Sequence, residues 1–506
     1  MKKIYFTLVC IVIAMHCNAQ CTPPAAPAIS PASSFVSFGQ SVTLRASGCS
    51  GTVKWSTGQT GTSITITPKD AISIVATCTV AGCTSLNSII AGIGINWTNV
   101  NCDENIAIST PLSNTYAKYE ASGQITGTSI VSNTASAYFN GKKAVNLNPG
   151  FNAQSGSLFK ASIEGCVSLQ TRTVAQSLAF PWELIWGPDN FIWFTERPGR
   201  IGRINPTTGV RTLNFTIPDC ATVGEGGALG MVLHPDFSNN KYLYVVYNYY
   251  KTPPNTNYTE KVVRYTYDAI NNTLIGDSTL LDNIPANTIH NGSRLYISDD
   301  LKLFIGTGDA GDGNLAQNDN SLAGKILRIN LDGSIPADNP SPTSKIWTKG
   351  HRNPQGIVVA NGKMYETEHG PNNDDEVNII EKGRNYGWPN VEGYCFNNPS
   401  EQTFCNTNNV KEPISAWTPT IAVSGAVFYD SNLIPQWKNS LLVSILKDQM
   451  IMQLKLNPSG DYVIERRMYY VSQFGRLRDF CISPAGKVYV ATSNGSDSII
   501  EISPAN

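Results

Sequence analysis

From about residue 170 to its C-terminus the chain repeats one local pattern six times: a turn, then a run of β-branched, aromatic or other apolar residues. The runs are Asn190–Thr195, Lys241–Tyr247, Lys302–Thr307, Gly362–Thr367, Ser440–Ile445 and Gly486–Thr492. Several lead into a second run, as in Ile201–Ile204, Ile326–Ile329 and Ile499–Ile502. A unit of roughly 56 residues that cannot bury its apolar face alone has to pack against its neighbours. Six such units predict an all-β fold, a six-bladed β-propeller with some long loops; the competing reading is an irregular pair of β-sandwiches. In a propeller, equivalent strands end on one face. Residues just past the runs, such as Gly308-Asp309, Glu368-His369-Gly370-Pro371 and Lys447, are therefore expected to gather at one channel mouth.

Ahead of the repeat the sequence predicts a leader and two small β modules. Lys2 and Lys3 precede an apolar stretch, Ile4 to Met15, that is too short to span a bilayer, and Cys17-Asn18-Ala19 offers a cleavage site. The expected plan is a signal peptide at 1–19, a first module at 20–96, a second at 97–168 and the repeat domain at 169–506. Alternating runs around Val42–Arg45, Thr52–Trp55 and Ser63–Thr67 argue for half-buried strands, and a Trp between cysteines is compatible with a small immunoglobulin-like sandwich. Ten cysteines remain after the leader, none in a metal-type CxxC pair, which suits disulfides in an exported protein. Cys395 and Cys405 are a plausible local bridge; Cys220 and Cys481 are left over. Secretion or a periplasmic location follows.

Charge narrows the partners. Lys+Arg number 37 and Asp+Glu 38, a net charge of −1, so no broad basic field invites nucleic acid or anionic membrane. No apolar run has transmembrane length.

Few residues offer neutral-pH chemistry. Four histidines follow the leader, and His290 lies in a polar loop before a strand. Arg352 and Asn353 sit in the turn-rich stretch Gly350–Gly356. Arg476 and Arg478 lie at period two, which puts both guanidinium groups on one face of an extended segment. With Lys447 these make four cations beside few acids. Asp374-Asp375-Glu376 clusters oxygen donors of the kind that suit Ca²⁺.

Residues from about 172 to 505 are similar to the soluble glucose/sorbosone dehydrogenase family, pyrroloquinoline quinone (PQQ) dependent aldose sugar dehydrogenases. The stretches that carry the resemblance are Gly226–Gly230 with His234–Phe237, His290–Leu295, Ala323–Arg328, Gly350–Gly356, Glu368–Glu376 and Asn385–Asn390. The resemblance implies oxidation of an aldose at C1 to a lactone, with electrons passing to a separate acceptor and with PQQ and Ca²⁺ as cofactors. By the same resemblance His290 is the general base and Arg352 stabilises charge on the reduced cofactor. Arg352, Asn353, Lys447, Arg476, Arg478 and Thr420 hold the cofactor; Glu225 and Trp417 face the sugar. Gly370 and Pro371 would hold a cofactor-bridging Ca²⁺, and Asp375, Glu376, Tyr386 and Glu412 a second, structural one. Residues 21–95 resemble the immunoglobulin-like modules of secreted bacterial enzymes, and 100–166 a three-coathanger stack; both are candidates for surface or glycan contact. The rival functions are a non-catalytic glycan- or protein-binding propeller and a calcium-dependent hydrolase, which would need a carboxylate-rich channel centre.

Overall fold

The computed structural model describes residues 22–98, 101–252, 256–396 and 398–505. The expected leader and its cleavage site lie outside the described residues.

The first module is three small sheets. Val42–Ser47 pairs with Ala28–Ser30 and Ser63–Ile66; Ala91–Ile95 with Ser33–Val36 and Ile72–Ile74; Ala76–Val80 with Thr52–Trp55 and Cys83–Thr84. Period-two burial in Val42–Ser47 and Thr52–Trp55 sends Leu44, Val53 and Trp55 into one core. A Cys49–Cys78 disulfide staples its side.

Residues 102–162 correct the expected fold class, which was a six-bladed propeller preceded by two small β modules. Here the chain winds as a β-solenoid, a stacked coil of about three turns. Cys102–Ile108, Tyr116–Gly127, Ser136–Gly141 and Leu158–Ser162 pair in parallel, each on the next turn, with Cys102 on Glu120, Tyr116 on Ser136 and Ser136 on Leu158. Short alternating runs look alike whether the next strand returns antiparallel or coils round to lie parallel. Only the offset of about 20 residues between stacked positions distinguishes the two. Phe139, Phe151 and Phe159 pack edge-on or tilted against one another inside the coil, and the Cys102–Cys166 disulfide ties its ends.

The rest of the chain forms six four-stranded antiparallel sheets in sequence order. The innermost strands are Pro181–Trp186, Ala228–Leu233, Gly292–Ile297, Pro354–Ala360, Val423–Tyr429 and Leu477–Ile482. Each packs on the next, and the last packs on the first, closing a ring. Leu169–Leu178 supplies the outer strand of the sixth sheet by pairing with the C-terminal strand Asp497–Pro504. Apolar layers such as Leu441, Val443 and Ile445 against Val377, Ile379 and Val423 fill the space between neighbouring sheets. Because inner strands alternate between neighbours and axis, polar residues such as Arg294, Gln355 and Asp479 remain for the middle of the ring. No helix among the described residues is long and apolar enough to cross a membrane.

Candidate active site

At one end of the ring a cavity of about 460 Å³ opens between the inner strands. Its lining includes Arg197, Lys447, Arg476 and Arg478, and among the described residues Glu225 is the one carboxylate there. Asn353, Gln355 and His369 complete its polar wall, while Phe180 and Trp182 supply apolar faces.

The cavity floor is built from buried charge. Arg294, on the third inner strand, is bound by Glu183, by Asp479 at 3.1 Å and by the Gln355 carbonyl at 2.8 Å. Its guanidinium lies 4.4 Å from the Trp182 ring centroid. Gln355 also accepts from Arg478 Nη1 at 2.9 Å, so one side chain ties the floor to the wall. Burial, with Arg476 adding repulsion, pulls Arg478 down to about 10. Burial likewise pushes His369 down to about 3, with Arg478 next in effect. That imidazole is neutral, and its Nε2 donates to the Val423 carbonyl at 2.6 Å.

His290 stands at the rim on a tightly specified loop. Asn287 donates its backbone N–H to Asn291 and its side-chain amide to the Ala310 carbonyl, both at 3.0 Å. His290 itself adopts φ +56°, and an added Cβ on Gly308 would lie 1.8 Å from the His290 carbonyl. A side chain at 308 would therefore displace the loop. The His290 backbone N–H points to Glu225 at 3.3 Å. Its Nδ1 is 2.8 Å from Asp309, a carboxylate that is 1% exposed. Asp309 also accepts from the Gly311 N–H and from Trp388 Nε1, each at 2.8 Å. An ionised Asp309 accepts only, so the imidazole proton sits on Nδ1 and Nε2 keeps a free lone pair.

Arg352 joins the same rim. Its carbonyl accepts from the Asp309 N–H at 2.8 Å, and its own N–H donates to Glu368 at 2.8 Å. Nη1 reaches the His369 carbonyl at 3.2 Å, the guanidinium lies over Trp388, and Nε is buried without a partner. Asn353 holds the turn together by accepting from the Gly292 N–H and from Gln355. Lys447 reaches back to the Thr420 carbonyl at 2.7 Å. Glu225, Asn353, Lys447, Arg476 and Arg478 line the cavity, and His290, Arg352 and Thr420 are tied to lining residues by hydrogen bonds to Glu225, His369 and Lys447.

Others are placed differently. Trp417 does not line the cavity; it lies against the guanidinium of Arg466. Asp375 accepts from three backbone N–H groups, those of Gly370, Ile421 and Ala422, which pins two loops together. Glu376 follows it on a strand and so projects from the opposite face; its carboxylate accepts from the Gly393 N–H and from Asn378. The Tyr386 hydroxyl bridges Ile379 and Glu381 while its ring stacks on His351. Glu412 accepts from the N–H groups of Ala32 and Cys395. Among the described residues the carboxylates of Asp375, Glu376 and Glu412 do not form one close group. The grouping that could take a cation is instead His351, Glu366 and Glu368, all buried, with Asn378 bridging both glutamates and Glu376. Burial pushes Glu366 and Glu376 well above the usual carboxylate range.

Residues 178–501 match the family model Glucose / Sorbosone dehydrogenase. The chain is 34% identical over 412 residues to quinoprotein glucose dehydrogenase B of Acinetobacter calcoaceticus, covering 64% of this chain and 86% of that protein. It is 30% identical over 355 residues to the aldose sugar dehydrogenase YliI of Escherichia coli (strain K12), covering 67% and 94%. Among solved structures, the PQQ-bound aldose sugar dehydrogenase of Streptomyces coelicolor superposes with a TM-score of 0.57 at 29% identity, over 67% of this chain and 98% of that one. The apo-form of the soluble aldose sugar dehydrogenase of Escherichia coli gives 0.61 at 29% identity, over 67% and 100%.

Proposed function

The chain belongs to the glucose/sorbosone dehydrogenase family, and from that premise we propose that it oxidises aldoses at C1 to lactones with PQQ as cofactor. The observation that carries the reading is the juxtaposition of a base-ready imidazole, His290 on Asp309, with a cavity bearing four cations and a single carboxylate. Arg478 and Arg197 are partly buried while Lys447 and Arg476 stand exposed at the mouth, an arrangement that favours an anionic ligand entering from that side. Buried guanidinium nitrogens without partners, Nε of Arg352 and of Arg197, point the same way. A planar tricarboxylate such as PQQ fits that donor set: Lys447, Arg476, Arg478 and Arg197, with Arg352 and Asn353, would hold it. Bound there, the quinone supplies the two-electron acceptor.

His290 performs the proton chemistry. Its Nε2 would take the proton of the anomeric hydroxyl while C1 gives up hydride, the electron pair that the bound quinone would accept, and Asp309 would stabilise the imidazolium. Glu225 is positioned to orient sugar hydroxyls. Among the described residues no hydrogen bond reaches the carbonyl oxygens of Gly370 and Pro371, hard donors that suit Ca²⁺ beside the cofactor. The domain plan stands as part of the proposal, with the sandwich-like first module ending near 96 and the solenoid near 168. Export is supported by the disulfides Cys49–Cys78, Cys102–Cys166 and Cys395–Cys405. A separate acceptor takes the electrons onward.

The test is reconstitution of purified protein with PQQ and Ca²⁺, followed by reduction of an artificial dye on a panel of aldoses. Turnover that needs both sugar and PQQ is expected. Absence of turnover across the panel, with intact fold, favours the non-catalytic binding module.

A further inference from the structure

The first module is built into the wall of the ring rather than tethered beside it. Its strand Ala91–Ile95 lies flat on Val463–Tyr469 of the fifth sheet. A Cβ on Gly92 would fall 2.2 Å from Tyr462 Cβ, so that face tolerates no side chain. Ser33 shares a hydrogen bond of 2.6 Å with the Tyr394 hydroxyl, and the Ala32 N–H donates to Glu412 at 2.6 Å. Between these anchors Phe35 enters the apolar layer between the fourth and fifth sheets, where Trp417 also packs.

Phe35 and Trp417 share one cation. The Arg466 guanidinium lies 3.9 Å from the Phe35 ring centroid and 4.7 Å from that of Trp417. Its Nη2 donates to Ser415 Oγ and to the Ala416 carbonyl, while Nε is buried without a partner. Burial pulls Arg466 down to about 10; two aromatic faces compensate for the lost water. The segment this holds, 415–422, runs straight to the cavity. Its Thr420 carbonyl accepts from Lys447, its Ile421 and Ala422 N–H groups bind Asp375, and Ala422 lines the cavity.

We propose that Phe35 of the N-terminal module is a positioning residue for the active-site wall. Through Arg466 it fixes Trp417 and the segment that presents Thr420 to Lys447. The inference rests on the dehydrogenase reading for its cofactor-binding consequence, but not for its structural one. It gives the first module a role inside the enzyme, beyond that of a spacer.

The test uses the full chain with Phe35→Leu, which keeps apolar bulk and loses the π face, and Phe35→Tyr, which keeps both. Amide hydrogen exchange on the cofactor-free protein is expected to speed up over 415–422 in Phe35→Leu, while Gly292–Ile297 stays unchanged. In the reconstituted enzyme the Kd for PQQ, read by fluorescence titration, is expected to rise roughly fivefold, the order set by one lost cation–π face. Phe35→Tyr restores both readouts. Unchanged exchange at 415–422 in Phe35→Leu overturns the proposal, and so does a PQQ affinity equal to that of wild type. If no form oxidises any aldose, the dehydrogenase reading fails by itself, and the exchange measurement still decides the role of Phe35.

Discussion

Asp309→Asn is the sharpest perturbation of the chemistry, because it keeps shape and removes one acceptor. The wild-type carboxylate accepts three hydrogen bonds at 2.8 Å, from His290 Nδ1, the Gly311 N–H and Trp388 Nε1. An amide has one oxygen to offer. If its NH₂ turns to Trp388, two donors oppose each other; if it turns to His290, it donates to Nδ1 and forces the proton onto Nε2, the atom that has to take one from the sugar. Either way a charge-assisted bond to the imidazolium is lost in the transition state, about 1.5–3 kcal/mol. At about 1.4 kcal/mol per decade, kcat should fall between about 10- and 150-fold. Asp309 does not line the cavity, so KM should stay within about twofold. The assay is steady-state dye reduction by the PQQ-reconstituted variant, with circular dichroism to verify the fold. A kcat within about twofold of wild type would falsify the assignment of His290 and Asp309 as one unit.

His290→Asn tests the base itself; Asn tolerates the left-handed φ of +56°. Turnover should vanish in the dye assay while PQQ still binds, and residual turnover near wild type excludes the role. Glu260 supplies a pH signature. Burial pushes its carboxyl up to about 8, so the folded state holds a proton that the unfolded state releases near pH 4.5. Its contribution is full below the usual carboxylate range and lost as pH rises through about 8, an upper bound on the order of 5 kcal/mol. Melting curves of wild type should fall from pH 6 to pH 9, and those of Glu260→Gln should fall less; parallel curves would show that Glu260 is not the group responsible.

How much of this was legible depends on what a sequence pattern encodes. The six turn-plus-strand runs are each the second strand of one of the six sheets, because apolar alternation reports burial on a pleated surface directly. The rule that residues after those runs lie near one rim fits His369 and Lys447, which line one cavity, and applied to Thr195 it would have found Arg197 as well. The solenoid was not legible in this way, since alternation carries no strand direction; its signal is the 20-residue offset of Tyr116 on Ser136. The second calcium site is known from resemblance alone, because sequence spacing does not show which oxygens the fold engages: Asp375 and Glu412 accept from backbone N–H groups of loops that only the fold brings near. Trp417 was expected on the sugar, but a module some 380 residues earlier in the chain turns its environment toward Arg466 and Phe35.

The central claim is that Lys447, Arg476 and Arg478 form a nest for a tricarboxylate quinone opposite His290. Titration of the cofactor-free protein with PQQ in the presence of Ca²⁺, followed by quenching of tryptophan fluorescence, measures it directly. The account predicts saturable binding of one PQQ per chain, weakened roughly tenfold or more by Lys447→Ala and further when Arg478 is also replaced. Failure of PQQ to saturate the protein, or an affinity indifferent to both substitutions, would contradict it.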